Sequence, residues 1–121
     1  MAENPDGGEI EIWGDGLQTR SFLYIDQCLE GVRRLMDSDI DEPINIGSNE
    51  IISINGLAKM IMLHAKKKQK INHIPGPLGV RERNSDNNLI LEKLNWAPEE
   101  PLVKGIEWTY DWISKQIANQ K

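Results

Sequence analysis

Cysteine is almost absent from this chain: Cys28 is the only one in 121 residues, so no disulfide can form within it. Histidine is nearly as scarce. His64 and His73 lie nine positions apart with no Cys or His at ligand spacing, a pattern that does not make a structural metal site. Positive charge is in deficit, with 14 Lys and Arg against 19 Asp and Glu and a net charge of -5. That balance argues against non-specific nucleic-acid binding, which needs a basic surface to displace counterions. No apolar run approaches membrane-spanning length, and no basic-then-apolar leader opens the chain. The expected partners therefore include no nucleic acid and no membrane, and the expected setting is the reducing cytoplasm. No internal repeat and no low-complexity tract is visible.

What remains is an ordinary globular composition, 39% hydrophobic and 27% charged, long enough for one modest core. Residues 1–8 are polar and glycine-rich and read as a flexible segment; residues 9–121 read as the domain. Glu9 to Trp13 alternates polar and apolar, with Ile10 and Ile12 on one side, as a half-buried strand does. Gly14-Asp15-Gly16 supplies the positive backbone angles of a hairpin turn, and 17–24 reads as the return strand. Asp26 is placed to cap a helix to about Met36, in which Cys28, Leu29, Val32, Leu35 and Met36 form an apolar stripe. Cys28 is read there as a core residue, the alternative being a reactive thiol. After an acidic loop, Pro43-Ile44-Asn45-Ile46-Gly47 reads as a very short strand, and Ser53 as the cap of a second helix.

Residues 71–74 read as another strand. Two prolines and two glycines make 75–79 a loop. Asp86 is placed to cap a short helix to Leu94, and a last helix starts near Leu102 and buries Leu102, Ile106, Tyr110, Ile113 and Ile117. Trp108 and Trp112 lie at helical spacing and read as packing residues; Trp13 and Trp96 read as seated on the core. The pattern is a small α/β (α+β) module with about four helices and short strands, not a complete doubly wound sheet.

Three arginines carry the chemistry. Arg20 follows the glycine turn at a strand end, where its planar fork can take two phosphate oxygens; the alternative is a surface ion pair. Arg81 and Arg83 lead into Asn84, Ser85 and Asp86. Cations and amides so close together can hold a phosphate and a nucleoside, or form a plain polar loop before a capped helix. Lys66, Lys67, Lys68 and Lys70 read as a solvated helix end, where cations suit the carbonyl dipole.

Taken in order, Gly14-Asp15-Gly16-Leu17-Gln18-Thr19-Arg20-Ser21-Phe22, Asn45-Ile46-Gly47-Ser48, Ile74-Pro75-Gly76-Pro77, Gly79-Val80-Arg81, Arg83-Asn84-Ser85-Asp86-Asn87-Asn88 and Leu94-Asn95-Trp96-Ala97-Pro98 resemble the C-terminal, substrate-binding part of extended short-chain dehydrogenase/reductase enzymes acting on nucleotide sugars. The resemblance runs from Glu9 to about Gln116. It implies an NAD-dependent epimerase or dehydratase and a nucleotide-diphosphate sugar of the GDP-mannose type. It also implies diphosphate binding by Arg20, and a nucleotide side lined by Arg81, Arg83, Asn84, Ser85 and Asp86.

The NAD machinery of that family is missing from the sequence. No Gly-x-x-Gly-x-x-Gly follows a strand. No Tyr-x-x-x-Lys occurs, since Tyr24 is followed four later by Cys28 and Tyr110 by Ser114. The chain is thus expected to bind no dinucleotide, to carry no catalytic residue and no metal, and to be inactive alone. Residues 45–47 resemble the strand that joins the family's large sheet, so an exposed edge is expected, covered by a Rossmann domain or by a second copy of the chain. The other reading is a stand-alone, non-catalytic module that binds a nucleotide sugar or another protein.

Overall fold

The computed structural model describes residues 1–120. Its elements are β1 (Glu9–Trp13), β2 (Thr19–Ser21), α1 (Ile25–Met36), β3 (Ile51–Ser53), α2 (Ile54–Ala65), β4 (Lys70–Ile74), α3 (Asn88–Leu94) and α4 (Leu102–Asn119). The expected small α/β module with four helices is what folds.

The strands pair differently from expectation. β1 and β2 do not form a hairpin. β1 pairs in parallel with β4, from Glu9 opposite Lys70 to Trp13 opposite Ile74, and Ile12 is buried in the core. β2 pairs antiparallel with β3, Arg20 opposite Ile52. The backbone groups of the glycine turn explain the change. Asn55 N–H donates to the Gly16 carbonyl (3.0 Å), and Ile54 N–H donates to the Gln18 carbonyl (3.1 Å). The turn is thereby tied to the start of α2, and β2 is directed away from β1. Gly14 and Gly16 do hold the positive angles expected of them, φ 74° and 70°.

Residues 43–47, expected as a strand, form neither helix nor strand. Among the described residues, 44–47 make no hydrogen bond. They lack a neighbouring strand, and a strand exists only as one side of a ladder. β3 lies further on, where the β-branched pair Ile51-Ile52 meets β2.

Helix α1 departs from expectation in its burial. Tyr24, not Asp26, sits at its N-cap and offers no side-chain cap; Asp26 lies in the first turn, where its charge suits the dipole. The one buried residue of α1 is Gly31, pressed against Ile46 and Trp96. Arg34 lies over the Trp96 ring, 5.3 Å from its centre. Glu30 accepts from both Arg33 and Arg34 at 2.8 Å, and these guanidinium groups hold its carboxyl below the usual range. Three of the five residues of the stripe read as core are instead on the outside, Leu29 57% exposed, Val32 41% and Met36 78%, while Leu35 is half-buried. Cys28 is half-buried.

Helix α2 is capped as expected, Ser53 Oγ accepting from Gly56 N–H at 3.0 Å, and it buries Ala58. It packs on α4, where His64 Nε2 meets Asp111 Oδ1 at 2.8 Å and the His64 ring meets Tyr110 edge-on. Its C-cap, Lys66, is left-handed at φ 54°. Residues 1–8 form no helix or strand and lie against this corner. Lys67 Nζ donates to the carbonyls of Ala2 and Asn4, and Gly7 N–H to that of Lys68.

Helix α3 inserts Ile90, the one large side chain with no exposed surface among the described residues. Asp86 does not cap it. Asn87 holds that position, while Asp86 Oδ1 accepts from Asn88 N–H at 3.0 Å. Helix α4 buries Leu102 and Gly105. Its first turn is satisfied by Glu50, whose Oε2 accepts from Leu102 N–H at 2.8 Å. The rest of its expected buried face is only partly covered, and Ile113 is 39% exposed. Trp108 packs on Tyr24, ring centres 5.1 Å apart; Trp112 and Trp13 are more than half exposed.

Candidate functional site

The arginines converge through their backbones. Thr19 N–H donates to the Arg81 carbonyl (3.0 Å), and Arg83 N–H donates to the Thr19 carbonyl (3.3 Å). Thr19 thus bridges Glu82 in parallel, and β2 runs between β3 and the 81–83 segment. Arg20, Arg81 and Arg83 leave one small ribbon of backbone.

Their side chains then part. Arg81 Nη1 reaches both carboxylate oxygens of Asp15 (3.0 and 3.1 Å). That contact, with the Leu17 N–H on Oδ1, holds the Asp15 carboxyl below its usual range. Arg20 is half-buried, donates to the Thr19 carbonyl at 2.7 Å, and lies beside Gly79. Arg83 is exposed, and its guanidinium has no hydrogen-bond or ion-pair partner among the described residues.

Arg83, Asn84 and Ser85 line an open depression of about 500 Å³ with Ser21, Leu23 and residues 45–48. Its two walls approach at Gly47, where a Cβ would stand 2.8 Å from the Ser85 side chain. Ser85 Oγ donates to the buried Asn87 Oδ1 (2.9 Å), and Asn84 Oδ1 accepts from Ser85 N–H (2.8 Å), so this wall is internally braced. Of the six residues read as binding residues, three share this depression. Arg20, Arg81 and Asp86 are not in its lining.

Ser21, Leu23, Asn45 and Ser48 were not singled out as site residues. Their signal was indirect: Asn45 and Ser48 flank the Ile46-Gly47 pair, and Gly47 can be no larger without displacing Ser85. A second hollow, about 610 Å³, lies by Lys59, Met62, Leu63 and residues 66–69, far along the chain from Arg20. Four lysines and Gln69 surround its apolar floor and Lys67 is already held by the Ala2 and Asn4 carbonyls, so the depression that bears the unengaged Arg83 is the better candidate.

The glycine turn does not fit a dinucleotide. The space that a Cβ would take at Gly14 is filled by Leu78, and at Gly16 by Asn55, leaving no cradle for a pyrophosphate. Neither Gly-x-x-Gly-x-x-Gly nor Tyr-x-x-x-Lys occurs in the chain.

No protein-family model matches the chain. Among curated proteins it is 60% identical over 112 residues to GDP-mannose 3,5-epimerase of Arabidopsis thaliana, and 35% identical over 114 residues to dTDP-4-dehydro-6-deoxy-D-allose reductase of Streptomyces bikiniensis. Both matches cover 93% of this chain, but only 30% and 35% of the relatives, so the chain spans about a third of their length. Among solved structures, UDP-glucose 4-epimerase of Thermotoga maritima with UDP-glucose superposes with a TM-score of 0.84 at 27% identity, over 90% of this chain and 36% of that one. UDP-glucuronic acid 4-epimerase of Bacillus cereus, in complex with UDP-glucuronic acid and NAD, gives 0.82 at 31% identity, over 89% of this chain and 36% of that one. No helix of the described residues is long and apolar enough to cross a membrane. In sequence and in fold, this chain is a counterpart of the C-terminal part of the extended short-chain dehydrogenase/reductase enzymes that act on nucleotide sugars.

Proposed function

We propose that the chain is the substrate-holding part of an NAD-dependent nucleotide-sugar epimerase of the GDP-mannose 3,5-epimerase type, inactive by itself. The observation that carries this reading is the unengaged guanidinium of Arg83 at an open depression, beside Asn84 and Ser85 and across from residues 45–48. A guanidinium with no internal partner is ready to take an anion, and the amides around it can hold a nucleoside. Arg20, Arg81 and Asp86 lie outside the lining of that depression, Arg81 being paired with Asp15, so their expected roles at the diphosphate and the nucleotide need a ligand that extends beyond it. The chemical contribution is placement: gripping the diphosphate orients the sugar against reactive groups and NAD held by a Rossmann domain. The 60% identity to the Arabidopsis relative and the missing NAD motifs support this division of labour. The expected setting is cytoplasmic, with residues 9–121 as the binding domain and residues 1–8, expected to be flexible, held by hydrogen bonds against the 66–69 corner.

A chimera tests it. The matched 112 residues of the Arabidopsis relative are replaced by those of this chain, and GDP-mannose is titrated calorimetrically into the chimera and into the chain alone. Binding by the chimera, weakened roughly tenfold or more in Arg83→Ala, supports the proposal. A chimera that folds and binds no GDP-mannose rejects it. The bare apolar face of α1 favours a second reading, a stand-alone module that binds a nucleotide sugar or a protein without catalysis. Firm GDP-mannose binding by the isolated chain, equal to that of the chimera, would select this reading.

A further inference from the structure

Between the start of α1 and the middle of α4 lies an open hollow of about 460 Å³ that shares no lining residue with the depression bearing Arg83. Tyr24, Trp108 and Trp112 give it aromatic walls, and Asp26, Asp111 and Lys115 give it charge. Trp108 and Trp112 are four apart on α4, which sets both indoles on one face of the helix. They are 45% and 62% exposed. Indole has a large apolar surface, and two exposed indoles on one helix face are better covered by a ligand than by water.

The walls are held in place. The Tyr24 and Trp108 ring centres are 5.1 Å apart, with the rings tilted by 46°. Gly105 lets Tyr24 approach α4 closely, since a Cβ there would stand 3.0 Å from the Tyr24 Cβ. Asp111 is oriented by His64, whose Nε2 meets Oδ1 at 2.8 Å, and the His64 ring is in turn set edge-on to Tyr110. Asp111 Oδ2, the Asp26 carboxylate and the Lys115 ammonium have no hydrogen-bond or ion-pair partner among the described residues.

The charges select the class of ligand. An anion would meet two carboxylates. A cation would meet Lys115. A purely apolar body would use none of the three charged groups. A neutral polyol uses all of them, its hydroxyls donating to the carboxylates and accepting from the ammonium. A pyranose adds a face of C–H bonds that can lie flat on an indole. A few polar groups set around an aromatic wall are the usual make-up of a small-molecule site.

We propose that the hollow walled by Tyr24, Trp108 and Trp112 binds a neutral pyranose, free or at the end of a glycan, at a site separate from the one that holds the nucleotide sugar. This goes beyond the function proposed above and does not depend on it.

The test uses the isotope-labelled chain, with the indole N–H signals of its four tryptophans followed by NMR. The probe is methyl β-D-glucopyranoside, whose equatorial hydroxyls leave both ring faces as C–H bonds. The Trp108 and Trp112 signals shift saturably at millimolar sugar, and those of Trp13 and Trp96 stay in place. Trp112→Ala, a change at an exposed side chain, weakens binding about tenfold. Asp26→Ala weakens it several-fold, and Trp13→Ala leaves it unchanged. Cellotriose separates the two sources: tighter binding than the methyl glycoside assigns the site to a glycan, and equal binding assigns it to a free sugar. The proposal is overturned if the sugar shifts no indole signal, if tetramethylammonium or inorganic phosphate shifts the Trp108 and Trp112 signals at lower concentration than the sugar does, or if Trp112→Ala binds as the wild type does. GDP-mannose binding by the Arabidopsis chimera is read at the Arg83 depression, so each reading can fail while the other stands.

Discussion

Asn55 occupies the space where a Cβ at Gly16 would stand. Its side chain also donates to the Asp15 carbonyl (2.9 Å) and meets His73 Nε2 at 2.9 Å, while its N–H donates to the Gly16 carbonyl (3.0 Å). One residue at the start of α2 thus fixes the glycine turn, and through it Asp15 and Arg81. Gly16→Ala meets both a left-handed backbone angle and an occupied site. It is expected to destabilise the chain by about 2–4 kcal/mol, measured by urea unfolding. Gly7→Ala meets a similar angle, φ 81°, with nothing nearby, and is expected to cost only about 1 kcal/mol.

The Asp15–Arg81 pair gives a pH signature. Asp15 is lowered in the folded chain by the Arg81 hydrogen bond first and the Leu17 N–H second. A lowered carboxyl contributes stability that is complete above its unfolded value and is lost as pH falls through its folded value. The difference in stability between wild type and Asp15→Asn is therefore constant near neutrality and shrinks only in the acid range. The contribution is small, because both side chains are at least half exposed. Denaturation at a series of pH values reads it; a difference that grows on acidification contradicts the assignment.

Ile90 is the anchor of the loop that carries Arg83, Asn84 and Ser85. It is wholly buried at the third position of α3. Ile90→Ala is expected to cost about 2–5 kcal/mol, and Ile90→Val less than half of that. Thermal unfolding followed by circular dichroism measures both.

Lys66 offers a stabilising change. It is left-handed at φ 54° at the end of α2, a conformation that glycine adopts without penalty. Lys66→Gly is expected to stabilise by about 1 kcal/mol, seen as a higher melting temperature. Asn95 does the same duty at φ 50° after α3, and asparagine tolerates it.

Local signals were legible in the sequence, and partners were not. The alternation of Ile10 and Ile12, the Ser53 cap and the prolines of 75–79 each act within a few residues, and each appears where expected. The hairpin failed because Gly14 and Gly16 dictate a turn but not a partner; Asn55 and Ile54, about forty residues away, decide where the chain goes next. The α1 stripe was legible as amphipathic, but periodicity shows only that one face is apolar, not what covers it. Arg20, Arg81 and Arg83 were read as a group, and their backbones do meet at Thr19. Their side chains diverge because Asp15 captures Arg81 and the Thr19 carbonyl takes Arg20.

The measurement that bears most directly on the central claim is the KM for GDP-mannose of the Arabidopsis chimera with Arg83→Ala. A charge-assisted contact to the diphosphate is worth about 1.5–3 kcal/mol, so KM rises roughly tenfold or more while the fold is retained. An unchanged KM in a folded, active Arg83→Ala chimera would contradict the account.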